Sequence, residues 1–395
     1  FNAPIFYFRP SFVMIHDLIV SFFPGRKNKS ILKKFAYNLV LKTVTKKAKK
    51  IIAVSEHTKK DLIKILKIKA EKISVIYEGI GEEFQRVKSA EILELTKQKY
   101  GIDKPFILYT GVYRYHKNIT GLLKAFKILK DKFHAPHKLV ITGREDPYYP
   151  DVRRTAHELG LKDDVIFAGL VPEEDLIALY SCADLHTLPS FYEGFGFTPL
   201  EAMACGTPTA VSHTSSLPEI CGKAALFFDP HDTKEMASTL HKAIADEDLR
   251  KRLIKAGHER VQMFKWENLA KQTLEVYNNL LSENHAPPKS GKLYLVNFCK
   301  YGFRSDSKLL SRCRTKSWIF QNIHINPNLP WLSKNSSENG FNTGINFKYF
   351  RKIIFRKNVD RCRLLPSLGA GSYNAKRGNN PPNECGLWRG SYQKT

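Results

Sequence analysis

Short apolar runs alternate along most of this chain with longer segments whose apolar positions recur every three to four residues. Residues 12–15, 51–54 and 73–76 are apolar and flanked by polar or turn residues, the pattern of strands buried on both faces. Between them, 30–47 carries Ile31, Leu32, Phe35, Leu39 and Thr43 on one side with lysines elsewhere, and 56–66 follows Ser55, a residue suited to capping a helix. Helices are predicted at both, the first with its apolar stripe packed on the sheet. Strand and helix alternating at this spacing make a parallel sheet. A connection over 79–104, rich in Lys and Glu, leads to a second unit of the same kind. Strands are predicted there at 106–110, 138–141, 165–167, 183–188, 209–212 and 226–228, with helices between them. The helix from Asn118 sets Ile119, Leu122, Leu123, Phe126 and Leu129 on one face. Helical patterns over 232–246, 248–258 and 265–281 close the unit. The expected fold class is therefore α/β with two Rossmann-like domains, residues 1–90 and 100–264, and no repeat of solenoid length.

The character changes after residue 281. Pro287, Pro288, Lys289, Ser290 and Gly291 read as a linker, and beyond it periodicity fades. Residues 283–395 hold 20 Lys and Arg against 5 Asp and Glu, so this tail carries more than half of the net charge of +25. One reading is a basic appendage for nucleic acid or membrane, with Trp318, Phe320, Tyr349 and Phe350 interleaved. The other is an irregular, disordered or non-native extension, which the composition favours. The basic body suits anionic ligands or anionic membrane surfaces, and equally a lysine-rich proteome. Seven cysteines without CxxC or metal-type spacing point to reduced thiols in a cytosolic compartment, with Cys182, Cys205 and Cys221 as packing residues. The most apolar region, 6–23, is broken by Arg9, His16 and Asp17, so it does not read as a membrane span. The chain opens on Phe1 directly into strand-like sequence, as a fragment would.

The candidate chemistry gathers in 189–208, PSFYEGFGFTPLEAMACGTP. Between two predicted strands lie a glycine loop and about two turns of helix, with Thr198 as expected N-cap, Pro199 at the first helical position, and Gly206 with Pro208 as the stop. Such a loop sits at the carboxyl end of a parallel strand, where the first helical amides face the crevice and suit a phosphate or a sugar. Glu193 and Glu201 bracket it, and carboxylates there can accept hydrogen bonds from hydroxyls. Glu201 equally fits a capping box with Thr198. Asp246, Glu247 and Asp248 match the letters of a metal-holding DxD motif but lie between two helices, where Asp248 reads as an N-cap. No metal is expected, and Walker and dinucleotide motifs are absent.

EGFGFTPLEAMACGTP, with SSLPEI at 215–220 and FKWENLAKQTLEVY at 264–277, resembles the donor-site signature of the retaining family 4 (group 1) glycosyltransferases, which have the GT-B fold. The similarity runs from about residue 12 to 281. It implies two domains facing across a cleft, the first incomplete, with 265–281 returning towards the first domain. It implies that Glu193 contacts the donor sugar, that Glu201 holds the ribose hydroxyls, and that Gly194, Phe195, Gly196 and Phe197 line the donor. The loop from Gly111 to Lys117 resembles the family's diphosphate-binding loop. Lys117 would neutralise the leaving diphosphate, a task suited to a compact ammonium. The family's usual arginine positions hold Val112 and His116, so Arg114 is the candidate for that role. His16 matches the family's histidine facing the donor sugar. The implied activity moves a hexose, mannose among the candidates, from a nucleotide diphosphate sugar to a glycan or lipid-linked acceptor with retention, without metal or cofactor. The expected setting is cytoplasmic or peripheral on the inner face of the cell membrane, with contact to anionic lipid and no specific nucleic acid. The alternative class is a nucleic-acid or membrane binder acting through the tail. Strands that would precede residue 12 are lacking, so the first sheet is expected to keep an open edge and the chain to bind donor weakly and transfer little.

Overall fold

The computed structural model describes residues 11–282, apart from 24, 26–30 and 150, together with 295–298. Its strands are β1 (Phe12–Ile15), β2 (Lys50–Ala53), β3 (Ile73–Val75), β4 (Phe106–Thr110), β5 (Lys138–Thr142), β6 (Val165–Gly169), β7 (Leu185–Leu188), β8 (Thr209–Ser212), β9 (Ala225–Phe228) and β10 (Leu295–Phe298). Among the described residues they form two parallel sheets, of order β10-β1-β2-β3 and β6-β5-β4-β7-β8-β9. One expectation is corrected here: residues 295–298 pair with β1 from Phe12 against Leu295 to Ile15 against Phe298, covering the edge expected to stay open. The rest of the tail lies outside the described residues.

The second sheet places the site. From β4 the chain winds outward through β5 and β6, then returns to the other side of β4 and winds outward again through β7, β8 and β9. The order reverses between β4 and β7. At such a reversal the loops leaving the two carboxyl ends diverge and open a crevice, where ligands of doubly wound sheets bind. The loops in question are 111–118 and 189–196.

The helix Ile31–Lys47 packs differently from its sequence reading. It buries Leu41 and Val44, with Ala48 just beyond its end, while Leu32, Phe35 and Leu39 are 79%, 66% and 51% exposed. Apolar residues occupy two sides of this helix, and the side at i, i+3 and i+7 near its end took the sheet. A further helix, Ala90–Lys99, sits inside the polar connection, with the Ser89 hydroxyl accepting from the Ile92 amide at 3.3 Å. Its Lys99 and the following Tyr100 both reach the Asp175 carboxylate at 2.6 Å. The helix Glu247–Val261 is capped by Asp246, which accepts from the Leu249 amide at 2.8 Å; Asp248, the expected cap, lies in the first turn. Cys205 and Cys221 are buried free thiols, pushed up to about 12 by burial.

His186 in β7 is fully buried, with Tyr180 edge-on at 5.6 Å and no hydrogen-bond partner for either ring nitrogen among the described residues. Burial pushes its pKa down to about 3 from an ordinary 6.5. The folded chain keeps this imidazole neutral while the unfolded chain protonates it, so stability is fully present above pH 6.5 and falls as pH drops from there towards 3. Lowering the pH from 7 to 5 is expected to cost about 2 kcal/mol through this residue alone. Urea denaturation at both pH values checks it: the acid-linked loss should shrink by that amount in His186→Leu.

Candidate functional site

The loop after β7 enters the helix Phe197–Ala204 through Gly196, whose φ of 115° occupies the N-cap position. Thr198, the expected cap, lies inside the first turn with its hydroxyl buried and unpaired among the described residues. Pro199 is accordingly the third helical residue rather than the first, where its missing N–H still costs no intrahelical bond. With Thr198 displaced, the capping box to Glu201 does not form. Glu201 Oε2 instead accepts from the Tyr180 hydroxyl at 2.9 Å. Tyr180 is fully buried, and burial followed by the Glu201 charge holds its pKa well above the ordinary phenol range. The phenol therefore stays a donor and pins the carboxylate.

The loops after β4 and β7 are tied together. The Phe191 amide donates to the His116 carbonyl at 2.7 Å, and Lys117 Nζ meets Glu193 Oε1 at 2.7 Å. The Ser190 hydroxyl donates to the same carboxylate oxygen at 2.6 Å, while the Glu193 amide donates to Ser215 Oγ at 2.8 Å. Ser216 Oγ donates to the carbonyls of Glu193 and Phe195 at 3.0 and 2.7 Å. Lys117 and Glu193 are nearly buried, so their mutual attraction is little screened. A cation and a carboxylate held this way at the crevice can meet a phosphate and a set of hydroxyls, respectively. Arg114 is half-buried just ahead of the turn Tyr115–Lys117, its carbonyl accepting from the Lys117 amide at 3.0 Å. The Gly111 amide donates to Thr142 O at 3.1 Å. Phe195 is buried against Tyr77 and Phe264, so it offers a ligand only its main chain, whereas Phe197 is partly exposed beside it.

The first sheet meets this loop directly. Gly194 packs so closely on the end of β1 that a Cβ there would fall inside the His16 carbonyl and 2.7 Å from Asp17 Cβ. The Gly194 carbonyl accepts from Ser55 Oγ at 2.8 Å and Thr58 Oγ1 at 3.2 Å. Glu219 accepts from the amides of Glu56 and His57 at 2.7 and 3.1 Å, adding a second cap to the helix Glu56–Leu66, which Ser55 already caps. Tyr192 donates to Asp61 at 2.5 Å. His16 lies at this junction with Nδ1 against the buried Glu78 carboxylate, and Asp17 accepts from the Ile19 amide at 2.9 Å. His16 is thus held by one ring nitrogen, which fixes the orientation of the other.

Structure therefore brings Lys117, Glu193 and the glycine loop together, and sets His16 beside them through Gly194. Sequence reasoning missed Glu78, Tyr180 and the clasp of Ser55 and Thr58. SSLPEI contained Ser216 and Glu219 without revealing their contacts; Glu78 and Tyr180 carried no signal of their own. No three His, Cys, Asp or Glu side chains among the described residues converge as a metal ion would require.

Comparison with known proteins places both halves. The model of Glycosyltransferase Family 4 matches residues 4–84, and that of Glycosyl transferases group 1 matches 93–260. Serotype-specific mannosyltransferase WbdA of Escherichia coli is 32% identical over 241 residues, 60% of this chain and 30% of that protein. O-antigen chain mannosyltransferase B of Escherichia coli is 33% identical over 235 residues, 59% of this chain and 61% of the relative. The chain thus spans about a third to three fifths of these relatives. Among solved structures, sucrose-phosphate synthase from Thermosynechococcus elongatus aligns with a TM-score of 0.59 at 26% identity, covering 69% of this chain and 68% of the other. Anabaena HepE in complex with UDP-glucose aligns with a TM-score of 0.60 at 20% identity, covering 69% and 72%, a likeness of fold.

Proposed function

We propose that this chain, a member of the family 4-like glycosyltransferases of GT-B architecture, moves a hexose from a nucleotide diphosphate sugar to a glycan or lipid-linked acceptor, with retained configuration and without a metal or cofactor. The observation that carries the reading is the Lys117–Glu193 pair at the sheet's reversal point. An arriving diphosphate draws Lys117 away from Glu193, and the released carboxylate accepts from the hexose hydroxyls. In this reading Glu201, which Tyr180 holds, takes the ribose hydroxyls, and His16, which Glu78 holds, takes the sugar from the first domain; the two contacts support it. Arg114 adds a second cation beside the diphosphate.

Charge develops on the diphosphate as the bond from C1 to its oxygen breaks, and Lys117 stabilises that charge. Retention follows when the acceptor hydroxyl attacks the same face: its oxygen bonds to C1, and its proton passes to the departing phosphate oxygen. The names of the mannosyl-transferring relatives support mannose as the hexose and a growing polysaccharide as acceptor. Calorimetric titration of the chain with GDP-mannose, UDP-glucose, GDP and UDP tests the donor site. Binding of at least one nucleotide sugar is expected, and none at millimolar concentration would reject the reading.

Peripheral contact with anionic lipid, on the cytoplasmic face of the membrane, is the second part of the proposal. No helix of the described residues is long and apolar enough to cross a membrane. Exposed Leu32, Phe35 and Leu39 share a helix with Lys33, Lys34, Lys42, Lys46 and Lys47, the makings of an interfacial helix. Co-sedimentation with liposomes should rise with anionic lipid and drop for Lys33→Glu/Lys34→Glu and for Phe35→Ser; indifference to lipid charge would remove this part. Both family matches fall on the α/β body, so the alternative of a tail-borne nucleic-acid binder finds no support.

A further inference from the structure

Three neighbouring rings on the loops after β4, β7 and β9 take no part in the transfer chemistry above. Tyr115, two residues before Lys117, is 66% exposed. Its ring centre lies 5.7 Å from that of Phe191, two residues before Glu193, and Phe191 in turn stacks on His231 at 4.7 Å with an interplanar angle of 19°. The three rings leave the ends of β4, β7 and β9. Their loops are fixed to one another: the Phe191 amide donates to His116 O, and Asn118 Nδ2 donates to the carbonyl of Pro230, the residue before His231, at 2.8 Å. From the first domain Phe23 approaches Tyr115 at 6.1 Å and His116 at 6.0 Å.

We propose that Tyr115, Phe191 and His231 form a subsite for the acceptor glycan, receiving a pyranose ring by its apolar face; this rests on the transferase reading of the neighbouring pair. Core packing does not account for a tyrosine left two-thirds in water on a fixed loop. A pyranose carries C–H bonds on its faces and hydroxyls round its rim, and an aromatic face with its negative potential suits those C–H bonds. Position selects the acceptor. Tyr115 shares a single 3-10 turn with Lys117, where each residue rises only about 2 Å, and Phe191 is two residues from Glu193, so both rings stand beside the Lys117–Glu193 pair that marks the transferred hexose. Rigid rings in a row accept successive sugars of a chain without demanding a particular hydroxyl pattern at each.

Saturation-transfer NMR on the whole chain with methyl α-mannopyranoside and an α-linked mannobiose tests the subsite, alongside calorimetry with GDP and UDP. Saturation is expected to reach the C–H protons of the mannosides. Tyr115→Ala should weaken mannobiose about tenfold, Tyr115→Phe should preserve it, and nucleotide affinity should be the same in all three proteins. Absence of mannoside binding in the unaltered chain, or unchanged binding in Tyr115→Ala, would overturn the proposal. So would a parallel loss of GDP or UDP affinity in Tyr115→Ala, which would assign the ring to the donor base. Failure of the transferase reading itself would look different: no nucleotide would bind the unaltered chain at all.

Discussion

Gly194→Ala is expected to lower sugar transfer by roughly a hundredfold or more while each half of the chain stays folded. The added methyl would occupy the space of the His16 carbonyl, a main-chain group just past the end of β1, and crowd Asp17 Cβ, which no rotamer change can move aside. Restoring normal contact requires the first sheet to draw back by about an ångström, and displacements of that size cost on the order of a hundredfold when they separate catalytic parts. The bonds from Ser55 and Thr58 to the Gly194 carbonyl would lengthen at the same time. The first sheet has a buried cluster of its own around Ile15, Leu41 and Ile51, and the second one around Phe106, Leu108 and Tyr180, so the loss of stability should stay near the 1–3 kcal/mol typical of an overpacked contact. Transfer rate and thermal melting measured together decide the matter. Undiminished transfer would show that the close approach of the two sheets is not required.

Glu201→Ala should weaken the free nucleotide by about 1.5–3 kcal/mol, the range for hydrogen bonds made to a charged group. Glu193→Ala should leave free nucleotide nearly untouched and impair recognition of the hexose. The asymmetry follows from their partners. Glu201 is held by a buried phenol, whereas Glu193 pairs with Lys117 and is assigned to the hexose, so its removal takes no contact from the free nucleotide. Calorimetry with GDP and GDP-mannose separates the two, and equal losses of GDP affinity would reject the division of labour. Glu201→Gln keeps an acceptor for Tyr180 and so distinguishes lost binding from lost stability.

The alternation of apolar runs and amphipathic segments was enough to read two parallel sheets, because strands covered on both faces are apolar throughout. Local signals failed where tertiary contacts outweighed them. Thr198 followed by Pro199 satisfies the rules for starting a helix, yet Gly196, free to take a positive φ, begins it two residues earlier. In the helix Ile31–Lys47 two apolar sides compete, and periodicity alone does not say which meets the sheet. Residues 295–298, Leu-Val-Asn-Phe, form a short strand interrupted by a polar residue and obscured by the composition of the tail around it. In the candidate site, motif resemblance pointed to Glu193, Glu201 and Lys117, of which Lys117 and Glu193 meet as an ion pair. Tyr180 and Glu78 were not legible in this way, since each acts on a residue far away in sequence and nothing in its own neighbourhood marks it.

The second cap on the helix Glu56–Leu66 has a consequence for how the chain is made. The Glu219 carboxylate that receives the Glu56 amide lies 163 residues downstream, and the loop carbonyl that receives Ser55 lies 139 residues downstream. At ribosomal rates of about 5–20 residues per second, the first sheet waits roughly ten to thirty seconds for these partners to emerge. During that interval the carboxyl end of β1 and the start of the helix face water, or whatever holds nascent chains. Joining the two sheets therefore waits until more than half of the chain has been made, and the surface left uncovered until then is the one that later packs on the loop 189–196.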